Sequence, residues 1–344
     1  MIFYTSTSKQ IFLSKKYIIT FIFTFLMCSL FFALLVFFQA GITTDKSTNA
    51  RHWVYATKAD IVDSTNQHKL LIVSGSNAAF GISCEMITNK TKVPCVNGGT
   101  TATLGIDYIL YNARSWSKTG DTVLLPLEYM HYSHSGKPNQ ELIRYTFAYD
   151  LNYFKQANPM NQIRMLYGLP FGYLIDNYIF KFKDKQYHKD QNVEKEIINQ
   201  NYGKLNQYGD VINNTEANMT EKLFNKIKKL KPLKLKNKEF GGSGTETIIS
   251  FINWCKSNKI KVIATWPNTI WFEAYNGQEQ KDYFQKIKQL YTSLGVPLIG
   301  NAKDFMYDKS MFYDSAYHLH ARGVRQRTQQ LIDLLEPYLK DIKN

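Results

Sequence analysis

The sequence predicts an α/β domain, a parallel sheet with helices on both faces in a three-layer sandwich, preceded by one N-terminal transmembrane helix. Three observations predict it. Short β-rich apolar runs alternate with helical periods on either side of an irregular middle segment, the pattern of a parallel sheet. Several of these runs end in glycine-, serine- or asparagine-rich turns, and such sheets hold their ligands at the carboxyl ends of the strands. Tyr17 to Phe38 contains no charged residue and is long enough, at ~1.5 Å per residue, to cross a ~30 Å hydrocarbon layer.

In chain order, residues 1–16 read as a cytoplasmic N-terminus, because Lys9, Lys15 and Lys16 precede the apolar run and positive charge stays inside. Residues 17–38 are the anchor. A cleaved signal peptide is the alternative, but the run exceeds the usual ~7–15 apolar residues and no small-x-small cleavage site follows. Residues 39–66 read as a polar linker. Residues 67–340 form the α/β domain. Its expected strands are Lys69 to Val73, Val93 to Val96, Thr122 to Leu127, Lys261 to Thr265 and Val296 to Ile299. Helices are expected over Ala78 to Ile87, Leu104 to Trp116, Gln280 to Leu294 and Val324 to Leu339; Ile106, Ile109, Leu110 and Ala113 mark one apolar face of the second. Residues at about 134–240 break the rhythm and read as an inserted cap. Within it, Phe171 to Phe182 reads as cap core, with a place near the membrane as the alternative.

The net charge is +14, which admits nucleic acid, anionic lipid or acidic glycan as partners. No zinc-type cysteine spacing, RNA-binding aromatic signature or basic region with heptads accompanies it, so no nucleic-acid partner is expected. Lys222, Lys226, Lys228, Lys229, Lys231, Lys234, Lys236 and Lys238 form a dense run, either a solvated face or a contact for an anionic glycan or headgroup. Of four cysteines, Cys28 lies in the anchor and Cys255 in a helical stretch. Cys84 and Cys95 can pair or not, since spacing supplies no geometry.

Three short motifs carry chemistry. Ser74-Gly75-Ser76-Asn77 follows the first strand. A serine there is either an exposed nucleophile at a helix start, facing backbone N–H groups, or a helix N-cap. Asn97-Gly98-Gly99 follows the second strand, where Gly99 either turns its N–H into a site or is an ordinary loop glycine. Asp314 and His318, four apart near the C-terminus, are either an oriented base or a surface pair; on one helical turn they would meet. Glu128, His131 and His134 follow the third strand at a spacing that does not converge, and no metal is expected. Trp266 and Asn268, after the fourth strand, read as groove-lining residues, with packing under the cap as the alternative for Trp266.

Taken together, the motifs resemble the SGNH (GDSL-like) hydrolase superfamily, and with the anchor they look most like its envelope-glycan O-acyltransferases. The resemblance covers roughly residues 68–130 and 255–335. It implies catalytic Ser76, His318 and Asp314, and an oxyanion hole from Ser76, Gly99 and the Asn77 side chain. With the positions at the sheet edge, Trp266, Asn268 and Glu128 become substrate-binding candidates. It also implies no cofactor, a cell-envelope polysaccharide as substrate, a membrane acyl-donor protein as partner, and a single-pass place in a bacterial cytoplasmic membrane with the domain periplasmic or extracellular. Three departures stand out. The acid and base are one residue further apart than usual, Glu128 stands where relatives carry Asn, and His320 is a rival base. A tethered carboxylesterase and a non-catalytic glycan-binding or assembly protein are the other readings.

Overall fold

The computed structural model describes residues 5–183, 204–235 and 239–339; Lys236 and Lys238 lie outside them. In chain order the first elements are α1 (Thr5–Phe38), α2 (Lys46–Ser64), β1 (Leu70–Ile72), α3 (Ser76–Ala79), α4 (Cys84–Thr91), β2 (Cys95–Asn97), α5 (Gly105–Trp116) and β3 (Thr122–Leu125). Four helices follow: α6 (Gln140–Tyr149), α7 (Leu151–Gln156), α8 (Pro159–Leu166) and α9 (Phe171–Lys183). The C-terminal half adds α10 (Glu221–Lys228), α11 (Ser243–Ser257), β4 (Lys261–Thr265), β5 (Thr269–Ile270), α12 (Gln278–Ser293), β6 (Leu298–Ile299), β7 (Met306–Tyr307) and α13 (Ala321–Leu339).

The chain divides into two compact units, residues 1–44 with 143–187 and residues 45–142 with 188–344. This departs from an anchor, a linker and one domain with a cap at 134–240. Within that expected cap, 143–183 joins the anchor's unit while 204–235 belongs to the α/β unit.

The second unit is the α/β domain. Its sheet runs β2-β1-β3-β4-β6, every pair parallel. All five expected strands are present; Lys261–Thr265 matches in full, the second starts two residues later and ends one later than expected, and the other three are shorter. β5 and β7, which the sequence did not suggest, pair with each other as a separate two-stranded sheet. The core strands are continuous apolar runs, Leu70 to Val73 and Val123 to Leu125, each under 2% exposed, because a parallel sheet is covered on both faces. Helix α5 packs on α11, and α13 packs on α4. The sheet order changes direction beside β1. The first connection runs outward to β2, and the next returns past β1 to β3, so the order reverses between β1 and β3, the position where such sheets hold ligands at their carboxyl ends.

Two local expectations change. Residues 46–64 are a helix and not a linker. The Asp45 carboxylate caps it by accepting from the Ser47 amide and the Ser47 and Thr48 hydroxyls, and Ala50, Val54, Tyr55, Lys58 and Val62 form its buried stripe. The helix expected over Ala78 to Ile87 is two helices, broken where Ser83 caps α4 through the Met86 amide. Cys84 and Cys95 are joined by a disulfide that ties α4 to the start of β2. Cys255 is buried in α11, and burial pushes its thiol up to about 12.

The first unit holds α1 and α7 to α9. Ser14 to Phe38 is a helix long and apolar enough to span a bilayer, with its side chains almost wholly unburied. Helix α9 buries only Tyr173, Leu174 and Asn177, leaving Phe171 63% and Phe182 68% exposed; the stretch is therefore not core.

Candidate active site

The turn after β1 is built by close approach. A Cβ on Gly75 would lie 2.4 Å from Glu128 Oε1 and 2.7 Å from Ala102 Cβ, so only glycine fits there. Ser76 follows as the first residue of α3. It is half-buried, and its hydroxyl has no hydrogen-bond partner among the described residues. The helix is capped by Gly75, which has no side chain to contribute, so Ser76 does not serve as the N-cap. Its amide N–H is likewise uncommitted among the described residues.

Glu128, three residues beyond the end of β3, lies against the turn after β1 and is fully buried. Its Oε2 accepts from the Gly75 amide at 3.0 Å and lies 2.9 Å from Ser74 Oγ; its Oε1 accepts from the Asn77 amide at 3.0 Å. Burial works to raise its pKa, but the nearby His131 and the Asn77 amide outweigh it and hold the carboxyl down at about 2. His131 Nε2 sits 3.2 Å from Oε2, at ion-pair distance but off the hydrogen-bonding line. On the other side of the turn, Arg327 reaches in from α13. Its guanidinium donates to the Asn77 carbonyl (3.0 Å), Asn77 Oδ1 (3.2 Å), the Trp266 carbonyl (3.3 Å) and Asn268 Oδ1. Burial pulls Arg327 down to about 10, against the opposing pull of Tyr307 and Glu128. Asn77 is therefore clamped between a buried anion on its N–H and a buried cation on its carbonyl.

The loop after β2 is fixed by Asn97. Its Nδ2 donates to the Ala78 and Ile82 carbonyls and to Asp210, and its carbonyl accepts from Lys58 Nζ at 2.8 Å. A Cβ on Gly99 would lie 2.6 Å from the Ala79 nitrogen, so glycine is needed for the loop to lie against α3.

Asp314 and His318 meet as expected, but in a loop and not on a helical turn. The loop is closed by an antiparallel bridge between Phe312 and Leu319 and by the Tyr313 amide donating to the His318 carbonyl at 2.8 Å. The extra residue between acid and base is absorbed there, and Asp314 Oδ1 sits 2.6 Å from His318 Nδ1. Burial works to raise the Asp314 pKa, but the His318 hydrogen bond, the His318 charge and Lys226 outweigh it and hold the carboxyl below its ordinary range. The imidazole stacks on Phe80, ring centroids 4.2 Å apart and planes 10° apart, and the Leu319 amide donates to the Phe80 carbonyl. Phe80 is one turn beyond Ser76, its amide donating to the Ser76 carbonyl at 2.9 Å. His318 Nε2 has no partner among the described residues. Phe80 therefore links the two: it is hydrogen-bonded to Ser76 through α3 and stacked on the His318 ring. No family model and no curated protein matches this sequence.

Other expected site residues sit differently. The Gly99 N–H donates to Asn97 Oδ1 at 3.0 Å, and Asn77 Nδ2 donates to Ser74 Oγ (2.7 Å) and the Pro126 carbonyl (2.8 Å). Neither is free to meet an oxyanion, because buried polar groups near a tight turn take protein partners first. Of the three expected donors, the Ser76 amide remains. Glu128, Trp266 and Asn268 do not line a groove. Each is 4% exposed or less, Trp266 Nε1 donates to the Gly300 carbonyl, and Asn268 Nδ2 donates to the Tyr317 carbonyl. His320 is 3% exposed, with Nε2 on the Ser310 carbonyl and Nδ1 facing the Arg322 amide and Glu216. His134 turns to Asp107, away from Glu128 and His131, and among the described residues no group of three or more His, Cys, Asp or Glu converges on a metal position.

Arg327, Asn97 and Phe80 were missed as site-builders. Arg327 had a signal: it falls on the stripe of Val324, Thr328, Leu331 and Leu335, the one charge on a buried helix face. An imidazole oriented by a carboxylate on one nitrogen can transfer protons, and a serine hydroxyl at a strand end can act as a nucleophile at a carbonyl.

Proposed function

We propose that this chain is a membrane-anchored serine acyltransferase or esterase of the SGNH type, acting outside the cytoplasm on small acyl groups, most simply acetyl, of an envelope polysaccharide. The observation that carries the reading is the Asp314–His318 pair seated on Phe80, one turn from Ser76. The sheet order supports it, because the serine turn lies at the point where strand order reverses. The α5–α11 and α4–α13 pairings suit helices on both faces of the sheet, the three-layer form of that fold. The Cys84–Cys95 disulfide suits an oxidising compartment beyond a membrane crossed by α1.

In the proposed reaction, Ser76 Oγ bonds to the acyl carbon as its proton passes to His318 Nε2. The bond from that carbon to the donor oxygen breaks, and the leaving oxygen takes the proton from His318. A glycan hydroxyl, or water, then gives its proton to His318 as its oxygen bonds to the acyl carbon; the bond from that carbon to Ser76 Oγ breaks, and His318 returns the proton to Oγ, which restores Ser76. Asp314 holds the ring with Nδ1 protonated and stabilises the transient imidazolium. The Ser76 amide faces the developing oxyanion, a contribution on the order of 3 kcal/mol. No cofactor enters the scheme. The acyl group would come from a membrane donor protein, and the exposed lysines from Lys222 to Lys234 would face an anionic glycan.

A second reading keeps the fold without the chemistry, as a glycan-binding or assembly protein. The engaged Gly99 and Asn77 donors favour it. Replacing Ser76 with Ala in the full chain separates the two. The enzyme reading expects loss of glycan acylation and of ester hydrolysis with the fold intact. Unchanged activity or an unchanged cellular phenotype supports the second. Brisk hydrolysis of simple esters with no effect of added glycan would indicate a tethered carboxylesterase.

A further inference from the structure

Helix α9 carries an apolar stripe that its own unit does not cover. Phe171, Ile175, Tyr178, Ile179 and Phe182 recur at helical spacing, and all are 38–68% exposed. The opposite side is bolted down beside the end of α1. Asn177 Oδ1 accepts from the Thr44 amide at 3.1 Å, Asn177 Nδ2 donates to Gln39 Oε1 at 2.7 Å, and the Tyr173 hydroxyl donates to Thr43 at 2.9 Å. Phe38, the last residue of α1, meets the Tyr178 ring at a tilt and stacks on Phe182. The helix therefore has a fixed height relative to α1.

That height falls within the span. The Tyr167 ring, in the elbow between α8 and α9, stacks on Phe32 with centroids 5.7 Å apart. Phe32 lies six residues before Phe38, or ~9 Å below the end of α1 at 1.5 Å per residue. Leu35 of α1 and Phe171, Leu174, Ile175, Tyr178 and Ile179 of α9 line one apolar groove of about 330 Å³. Met160 and Ile163 of α8, each more than half exposed, extend the surface. The groove is thus continuous with the exposed apolar face of α1. Lys181, at the end of the stripe, places its ammonium 4.0 Å over the Phe38 ring and donates to the Phe38 carbonyl, where the chain leaves the span.

We infer that α8 and α9 form an interfacial hairpin that enters the leaflet next to the end of α1, with the α1–α9 groove occupied by a phospholipid acyl chain. The inference rests on α1 being a membrane span, and on nothing at Ser76. Interfacial helices enter a leaflet by ~5–10 Å, which matches the depth of Tyr167. An uncovered apolar surface of this extent is costly in water and costs nothing against acyl chains.

The test uses the full chain in phosphatidylcholine vesicles brominated along the acyl chain. All five native tryptophans lie outside residues 5–44 and 143–183 and give a constant background. Four variants each add one tryptophan: Ile175→Trp and Ile179→Trp on the stripe, Leu26→Trp within α1, and Gln285→Trp on the exposed face of α12. The inference expects brominated lipid to remove roughly half of the added emission at 175 and 179, as at 26, and little at 285, given the ~5–10 Å depth of an interfacial helix. Quenching at 26 with 175 and 179 behaving like 285 would overturn the inference and leave the span intact; finding the stripe instead buried between two copies of the chain would do the same. No quenching at 26 would overturn the span and the inference with it.

Discussion

Replacing Glu128 with Gln should cost the protein far more than the loss of one charge at a surface. The carboxylate meets three donors, the Gly75 and Asn77 amides and the Ser74 hydroxyl, and lies beside His131. Gln offers one carbonyl oxygen in place of two carboxylate oxygens and turns an NH₂ toward groups that donate. The pKa gives the size of the effect. Burial alone would raise it, but His131 and Asn77 bring it from 4.5 to about 2. A carboxyl held below its unfolded value stabilises the fold above pH ~4.5, and that contribution is lost as pH falls toward 2. At ~1.4 kcal/mol per unit this amounts to about 3 kcal/mol at pH 7. Loss of a charged hydrogen bond in the interior gives a similar figure, about 1.5–3 kcal/mol. Urea unfolding of the full chain in detergent, followed by tryptophan fluorescence, should show Glu128→Gln less stable by about 3 kcal/mol at pH 7, the gap narrowing to about 1 kcal/mol near pH 3. A difference below ~1 kcal/mol at pH 7, or one that does not change with pH, would refute this account of the turn.

Three further outcomes follow from the same geometry. Burial draws the Lys58 ammonium down from 10.5 to about 7, against the pull of Asp210. Between these values the unfolded chain binds the extra proton, so stability should rise with pH, by at most ~1.4 kcal/mol per unit, and Lys58→Met should flatten that slope in unfolding curves. Arg327→Met removes the donors to the Asn77 carbonyl and Asn77 Oδ1 and takes one of the buried cations away from Glu128, so a loss of about 3–5 kcal/mol is expected in the same assay; a loss under ~1 kcal/mol would mean that the clamp is dispensable. Replacing Cys84 and Cys95 with Ala opens a loop with a sequence separation of 11, which should lower stability by about 3 kcal/mol and make it insensitive to reductant.

The sheet was legible in the sequence because each strand is a compact apolar run bounded by turn residues. The Asp314–His318 contact was legible as a pairing of residue types, although the loop that makes it was not, since the Phe312–Leu319 bridge depends on a partner across a turn. Helix α2 was hidden by its polar composition; its buried face includes Thr48, Arg51 and Lys58, which read as solvated in one dimension. The engagement of the Gly99 and Asn77 donors is hidden from the sequence for a related reason. A motif identifies an N–H near a site, but whether it is already taken depends on Asn97 and Ser74, whose side chains lie across the fold. The groove residues failed likewise, because Trp266 and Asn268 meet Gly300 and Tyr317 from distant segments. The α9 stripe shows the limit of periodicity: it finds an apolar face without saying whether protein or lipid covers it.

In the proposed reaction Ser76 is a nucleophile activated by His318. Treating the full chain with a serine-directed fluorophosphonate and mapping the adduct by peptide mass spectrometry tests it most directly. A single modified serine, Ser76, is expected, with labelling slowed roughly 100-fold or more in His318→Ala and little changed in His320→Ala. Absence of an adduct on Ser76, or labelling that persists at full rate without His318, would contradict it.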